Sequence, residues 1–361
     1  MSTLADILLE LGPGFLARNS ASPAQRLALR AIQRCRTPEL GGHVYVCTRC
    51  KHSDYSYHSC HNRACPRCGG ARTKEWTQKQ TDRLLPVEYF LVTFTLPSPV
   101  AALALCSPSV LYELLFSQSS RALQTVASRS NLLGAELGFL GVLHTWNRQL
   151  GLHPHVHYII PGGGLRSDHK KWRRSRQPDW FLPVHALSAA FRQGMEAALR
   201  ASSPALHASI PQSCWRGAWV VHSQAAGSGE AVLRYLSRYV FRTAICDERI
   251  VDWNKDHVRF KYTDRKSGEL RTLSLESDEF IRRYLLHVPP SGFHRVRYFG
   301  WMHPSAKRRR ILVETLLNAV ILIRPRQDLT PAWHLCCPEC KEFTLILVAR
   351  LPRGPPACCS R

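Results

Sequence analysis

Acidic residues are scarce in this chain. Its 361 residues include 26 Asp and Glu against 49 Lys and Arg, a formal charge of +23. A surplus of that size repels itself and points to a polyanionic partner. Long apolar runs are also missing. The longest, 311–323, is interrupted by Glu314, Thr315 and Asn318 and falls short of a membrane span. The opening Met1-Ser-Thr-Leu-Ala-Asp6 has neither a basic segment nor a cleavage site, so no export signal is expected and the protein is placed in a cytoplasm. No internal repeat or low-complexity tract stands out, and 45% hydrophobic content fits a globular chain rather than a disordered one.

Cysteine and histidine, by contrast, are plentiful, with 14 and 17 of each. The cysteines fall in Cys-x-x-Cys pairs, which in a reducing compartment read as zinc ligands rather than disulfides. Residues 35–72 hold too little apolar content for an ordinary core and need a metal to fold. Within them, Cys47-x2-Cys50-x14-Cys65-x2-Cys68 has the spacing of one four-thiolate zinc site. Cys35, His43, His58, Cys60 and His61 are left over, enough for a second zinc without assigning one. Arg49, Lys51, Arg63, Arg67 and Arg72 interleave with these ligands, as where a zinc module touches phosphate. Near the end, Cys337-x2-Cys340 has Cys358 and Cys359 as candidate partners, although adjacent cysteines chelate awkwardly.

Periodicity predicts helices over 1–34, broken at Gly12-Pro13-Gly14, and over 73–85. Strands follow at 89–96, 139–146 and 154–161, with a helix at 109–128 and another near 186–201. A short strand at 218–221 precedes a helix opened by Ser228-Gly-Glu230. Strands near 257–263 and 270–275, a helix near 276–287 and a basic helix around Lys307-Arg-Arg-Arg310 complete the pattern. The expected organisation is a helical and zinc-binding segment (1–85), a central catalytic domain (86–300) and a basic, cysteine-containing tail (301–361).

Chemistry concentrates in His153-Pro-His155-Val-His157-Tyr-Ile-Ile and Tyr235-Leu-Ser-Arg-Tyr239. On a strand, alternate residues share a face, so His155 and His157 project together. Imidazoles are suitable ligands for a divalent metal that polarises a scissile phosphate, and two leave positions open for phosphate and water. His144, on the strand expected to pair alongside, is the candidate third ligand, with His153 as runner-up. On a helix, Tyr235 and Tyr239 sit one above the other as candidate nucleophiles. A phenol has a pKa of about 10 and needs a metal or basic groups beside it to attack at neutral pH. Arg234, Arg238 and Arg242 recur beside the tyrosines and suit the phosphates flanking a cut. Tyrosine attack yields a 5′-phosphotyrosyl link and a free 3′-hydroxyl, so rejoining needs no ATP. A zinc deaminase also uses Cys-x-x-Cys but requires His-x-Glu, which this chain lacks.

These motifs resemble the HUH-type, two-tyrosine rolling-circle transposases of the bacterial insertion-sequence family typified by element ninety-one. The likeness spans roughly residues 30–310. It includes Ser59-Cys-His-Asn-Arg-Ala-Cys-Pro-Arg-Cys68, Phe94-Thr-Leu-Pro97, Pro161-Gly-Gly-Gly-Leu165, Glu279-Phe-Ile-Arg-Arg283 and Gly292-Phe-His-Arg-Val-Arg-Tyr298. It implies an α+β fold: an N-terminal zinc-binding module, then an HUH endonuclease domain with an antiparallel sheet flanked by helices. It implies Mg²⁺ or Mn²⁺ at the nuclease site, zinc in the N-terminal domain, and single-stranded DNA at element ends and target as partner. Neither a membrane nor a small-molecule substrate is expected. A replication initiator or relaxase shares this chemistry in another setting, and an inactive zinc-dependent DNA-binding derivative shares its binding alone.

Overall fold

Two capped helices open the chain. In this computed structural model, residues 3–177, 179, 181–240, 243–319 and 335–354 are described, without the side chains of Ala71, Arg238 and Tyr239. Thr3 and Asp6 form a capping box at the start of α1 (Leu4–Arg18), and Ser22 and Gln25 form another ahead of α2 (Pro23–Gln33). The break expected at Gly12-Pro13-Gly14 does not occur, and α1 runs through Pro13. Gly12 is a packing contact instead: a Cβ there would crowd Leu29 and Gln33 of α2, at 3.3 and 3.2 Å. Gln33 donates to the Leu8 carbonyl at 2.7 Å, tying the two helices together. Strands β1 (Gly42–Cys47) and β2 (Ser53–Tyr57) then form a hairpin, followed by α3 (Gly70–Thr81).

The central sheet begins with β3 (Tyr89–Thr95), and α4 (Ser98–Ala101) and α5 (Pro108–Ala127) lead to its next strand. That strand, β4 (Gly138–Trp146), pairs with β5 (Leu152–Pro161). A small ribbon, β6 (Gly163–Leu165) and β7 (Trp172–Arg174), precedes α6 (Val184–Ser202) and α7 (Pro204–Ala208). Next come β8 (Val221–Ala225) and α8 (Glu230–Val240). Three antiparallel strands follow, β9 (Ile250–Trp253), β10 (His257–Thr263) and β11 (Leu270–Glu276), then α9 (Ser277–Leu286). The described chain closes with β12 (Val296–Gly300), α10 (Lys307–Leu316) and β13 (Leu345–Leu351).

Five antiparallel strands lie in the order β12-β4-β5-β3-β8. Strand β8 shares only Val221 with the strand expected at 218–221 and runs on through polar residues to Ala225. As an edge strand with one open face, it needs backbone pairing to β3 more than apolar side chains. Alternation along the strands divides the buried residues between two faces. Phe90, Val92, Phe94, Val156, Tyr158 and Ile160 face the core built with α5 and α6. Leu91, Leu140, Val142 and Ile159 face Val232, Leu233, Leu236 and Val240 of α8. The sheet is thus covered by helices on both sides, an α+β arrangement in which β5 is buried on both faces.

A separate core joins the N-terminal helices to the distal strands: Leu4, Ile7, Leu8 and Ile32 pack with Phe260, Phe280 and Ile281. The C-terminal strand returns to the N-terminal module, where β13 adds to β1 in the order β13-β1-β2. No helix among the described residues is long and apolar enough to cross a membrane.

Candidate metal centres and active site

Strand register assembles the histidines. His144 lies opposite His155 across the β4–β5 pair, and His157 is two residues along on the same face of β5. Ring nitrogens of all three lie within 4.8 Å of one another, and all three side chains are buried. Sharing that face with Ile159, they point toward α8 while Val156 and Tyr158 turn into the opposite core.

Hydrogen bonds fix two of the rings. His155 donates from Nδ1 to the His153 carbonyl oxygen at 2.7 Å, which leaves the lone pair on Nε2. That Nε2 stands 3.0 Å from Nδ1 of His144. Two nitrogens about 2.1 Å from one ion and at right angles would also stand about 3 Å apart. Nδ1 of His157 is 2.8 Å from Thr93 Oγ1, whose residue is its partner across the β3–β5 pair. When Nδ1 donates to Thr93, Nε2 of His157 presents its lone pair to the centre.

Burial pushes the His155 imidazole down to about 4 and His157, which also feels His155, to about 3. His144 is held well below the ordinary range, first by burial and then by its histidine neighbours and Arg295. Neutral imidazoles are the form a cation requires, so the donor set fits a divalent ion with positions left open.

Helix α8 brings Tyr235 to this centre. Gly229, with φ +83° and against the Tyr89 ring, makes the turn into the helix. Val232, Leu233, Leu236 and Val240 then fasten α8 to the sheet, each buried large side chain contributing about 1.5–3 kcal/mol. Tyr235 is left exposed, its ring edge-on to His157 with centroids 6.2 Å apart. Tyr239 lies one turn further along α8, with its side chain, like that of Arg238, outside the described residues; Arg242 is outside them entirely.

Arg234 lies 3.8 Å from Glu230 and lines a cleft of about 1160 Å³ between α3, α8 and residues 243–249. Lys74 and Arg249 add positive charge to this cleft and Glu248 negative charge, and Thr73 and Gln78 add hydrogen-bonding groups. Trp146 also lines it and packs edge-on against His144 at 4.1 Å, so the cleft abuts the histidine centre.

The cysteines group differently from the expectation. The single site predicted from Cys47, Cys50, Cys65 and Cys68 does not form. Cys65 and Cys68 join Cys35 and Cys60, while Cys47 and Cys50 join Cys337 and Cys340. The hairpin is the reason: Cys47 ends β1 and Cys50 lies in the turn that follows, whereas Cys60–Cys68 follow the far end of β2. Five strand residues span about 16 Å, too far for one ion to bridge. In the first cluster, Sγ of Cys68 is 3.5 Å from Cys35 and 3.6 Å from Cys60. Hydrogen bonds with the neighbouring thiols lower Cys68 and raise Cys65, which favours the thiolate at Cys68. Four clustered thiols of this kind suit a tetrahedral zinc. His43, His58 and His61 belong to neither cluster, and Cys358 and Cys359 lie outside the described residues.

Sequence reasoning missed Thr93, Trp146, and the joining of Cys337 and Cys340 to the hairpin. Thr93 was detectable only through strand register, since hydroxyl and imidazole are 64 positions apart. His153, weighed as a ligand, contributes its backbone carbonyl to His155.

Residues 7–96 match the family described as "Transposase zinc-binding domain", and residues 138–310 match the family described as "Putative transposase". A protein of Sinorhizobium fredii named "Putative transposase y4qJ" is 35% identical over 388 residues, covering 98% of this chain and 97% of the relative. The "Transposase for insertion sequence element IS801" of Pseudomonas savastanoi pv. phaseolicola is 30% identical over 288 residues, covering 74% of this chain and 68% of that protein. No solved structure matches the chain. The chain therefore belongs to the insertion-sequence transposases of the IS801 type, with a transposase zinc-binding domain ahead of its transposase domain.

Proposed function

We propose that this transposase is a metal-dependent single-stranded DNA endonuclease and strand transferase of the HUH type, working through a 5′-phosphotyrosine intermediate in rolling-circle transposition. The carrying observation is the edge-on placement of Tyr235 against His157, beside three converging imidazoles. His144, His155 and His157 would hold Mg²⁺ or Mn²⁺, which when bound polarises the scissile phosphate and neutralises developing charge. Tyr235 attacks phosphorus through its phenolic oxygen. The new bond is Tyr–O–P and the broken one is P–O3′; the phenol gives up its proton, and the 3′-oxygen takes one and leaves as a hydroxyl, so the step balances. A 3′-hydroxyl of another strand reverses these steps and releases the tyrosine.

Tyr239, one turn along the same helix, is the second nucleophile, which lets one protein hold two strand ends. The cleft lined by Lys74, Arg234 and Arg249, with Glu230 and Glu248 beside them, keeps a small net positive charge that suits the phosphates of a strand next to the centre. Arg238 and Arg242 are further candidates on sequence spacing alone. Zinc held by Cys35, Cys60, Cys65 and Cys68 would fold the cysteine-rich segment 35–72, which holds too little apolar content for an ordinary core.

A denaturing gel tests the reading, using labelled single strands from the element's ends with Mn²⁺ or with EDTA. The expected result is a metal-dependent covalent adduct that Tyr235→Phe diminishes and the double change with Tyr239→Phe abolishes. Tight binding of the same strands without adduct would overturn the proposal and leave a DNA-binding derivative.

A further inference from the structure

The four sulfurs of Cys47, Cys50, Cys337 and Cys340 converge although about 290 residues separate the pairs in sequence. Cys47 Sγ is 3.6 Å from Cys340 Sγ, and Cys50 Sγ is 3.6 Å from Cys337 Sγ. A disulfide would need about 2.05 Å. The edge of a tetrahedron with zinc–sulfur bonds of about 2.3 Å is about 3.8 Å. The spacing is that of ligands around one ion.

The two pairs are also built alike, although the sequence shows no repeat. In each, the residue after the second cysteine is a lysine at φ 60°, Lys51 and Lys341. Each lysine N–H donates to the carbonyl of the first cysteine, at 3.0 Å for Lys51 to Cys47 and 2.9 Å for Lys341 to Cys337. The first cysteine's own N–H in turn donates to the residue five positions on, Cys47 to His52 at 2.9 Å and Cys337 to Glu342 at 2.8 Å. A left-handed non-glycine residue is costly, and its occurrence at equivalent positions marks a turn shaped around a ligand. The Cys50 N–H already points at Cys47 Sγ, 3.3 Å away.

Among the described residues, little else holds these turns together. The apolar cluster there has Cys47, Cys337 and Leu345 as its buried members, with Tyr45, Leu335 and Cys340 packed against them. Backbone pairing joins Cys47 to Leu345 across β1 and β13, Thr48 N–H donates to the Thr344 carbonyl at 3.0 Å, and Arg49 pairs with Glu342 at 2.6 Å. A core this small needs a metal to be stable.

We propose that Cys47, Cys50, Cys337 and Cys340 bind a second structural zinc ion that staples the C-terminal strand to the hairpin of the N-terminal zinc-binding domain. Half of its ligands lie beyond residues 7–96, so the zinc-binding unit of this protein is assembled from both ends of the chain. Binding exchanges four thiol protons, released to solvent, for one Zn²⁺ and leaves a net charge of −2 beside Lys51 and Lys341. The inference is independent of the nuclease chemistry.

The test is metal analysis of the full-length protein by mass spectrometry, with thiol alkylation mapped in the native state. The wild type is expected to carry two zinc ions per chain, and C337S/C340S one. In the wild type, Cys337 and Cys340 should resist iodoacetamide while the adjacent Cys336, exposed and outside the cluster, reacts. Retention of the first zinc in the variant shows that it is folded, and protection in the wild type needs no variant at all. One zinc in the wild type, two in the variant, iron in place of zinc, or Cys337 and Cys340 reacting as fast as Cys336 would each overturn the proposal.

Discussion

Thr93→Val isolates the contact that orients His157. Valine keeps the branched shape suited to β3 and removes the hydroxyl that stands 2.8 Å from Nδ1 of the imidazole. A neutral hydrogen bond contributes about 0.5–1.5 kcal/mol net. Partners that orient a metal-bound histidine typically govern about 10–100-fold in metal affinity. Thr93 is half-buried, so water can partly replace the hydroxyl, which favours the lower end of that range. The expected loss is about tenfold in Mn²⁺ affinity, or about 1.4 kcal/mol. Titration calorimetry of Mn²⁺ into zinc-loaded protein measures it, and Thr93→Ser should recover most of the affinity. An affinity for Mn²⁺ within twofold of wild type, in a Thr93→Val protein with unchanged circular dichroism, would refute the reasoning.

Leu236→Ala, at a fully buried site between α8 and the sheet, should cost about 2–5 kcal/mol in urea unfolding and weaken adduct formation more than Mn²⁺ binding. A loss below about 1 kcal/mol would mean that α8 is anchored elsewhere. His287 offers a pH signature outside the ligand set. Burial pushes it down to about 4, with its rings' nitrogens near Thr145 Oγ1 and the Leu150 carbonyl, at 3.2 and 3.0 Å. Because its folded value lies below the unfolded one of about 6.5, the unfolded chain binds the extra proton between these limits. Its contribution is therefore complete above about pH 6.5 and is lost as the pH falls toward 4. Urea midpoints of wild type and His287→Gln should converge or cross at about 1.4 kcal/mol per pH unit within that window, and parallel curves would contradict the shift.

The sequence alone was sufficient for local features. Period-two alternation located His155 and His157 on one face of a strand, and i, i+4 spacing located Tyr235 and Tyr239 on one helix. Their roles remain the proposal above, but the elements that bear them were legible because strand and helix periods are properties of neighbouring residues. Charge was legible for the same reason, being a sum over residues.

Tertiary structure decided whatever depends on distance through space. Register across β3, β4 and β5 brought Thr93 and His144 to the two histidines of β5, which no spacing in the sequence encodes. The cysteines give the clearest case. Sequence spacing grouped Cys47 and Cys50 with Cys65 and Cys68, because that rule assumes the intervening chain folds back on itself. The chain instead extends through β2, which separates the pairs, and closes each cluster with cysteines from elsewhere. Gly12-Pro13-Gly14 reads as a helix break for a similar reason: its local signal is that of a turn, but contact with Leu29 and Gln33 uses the glycine as a place for two helices to meet. Short-range preferences set each element, and long-range packing determined which elements share a metal, a face or a cleft.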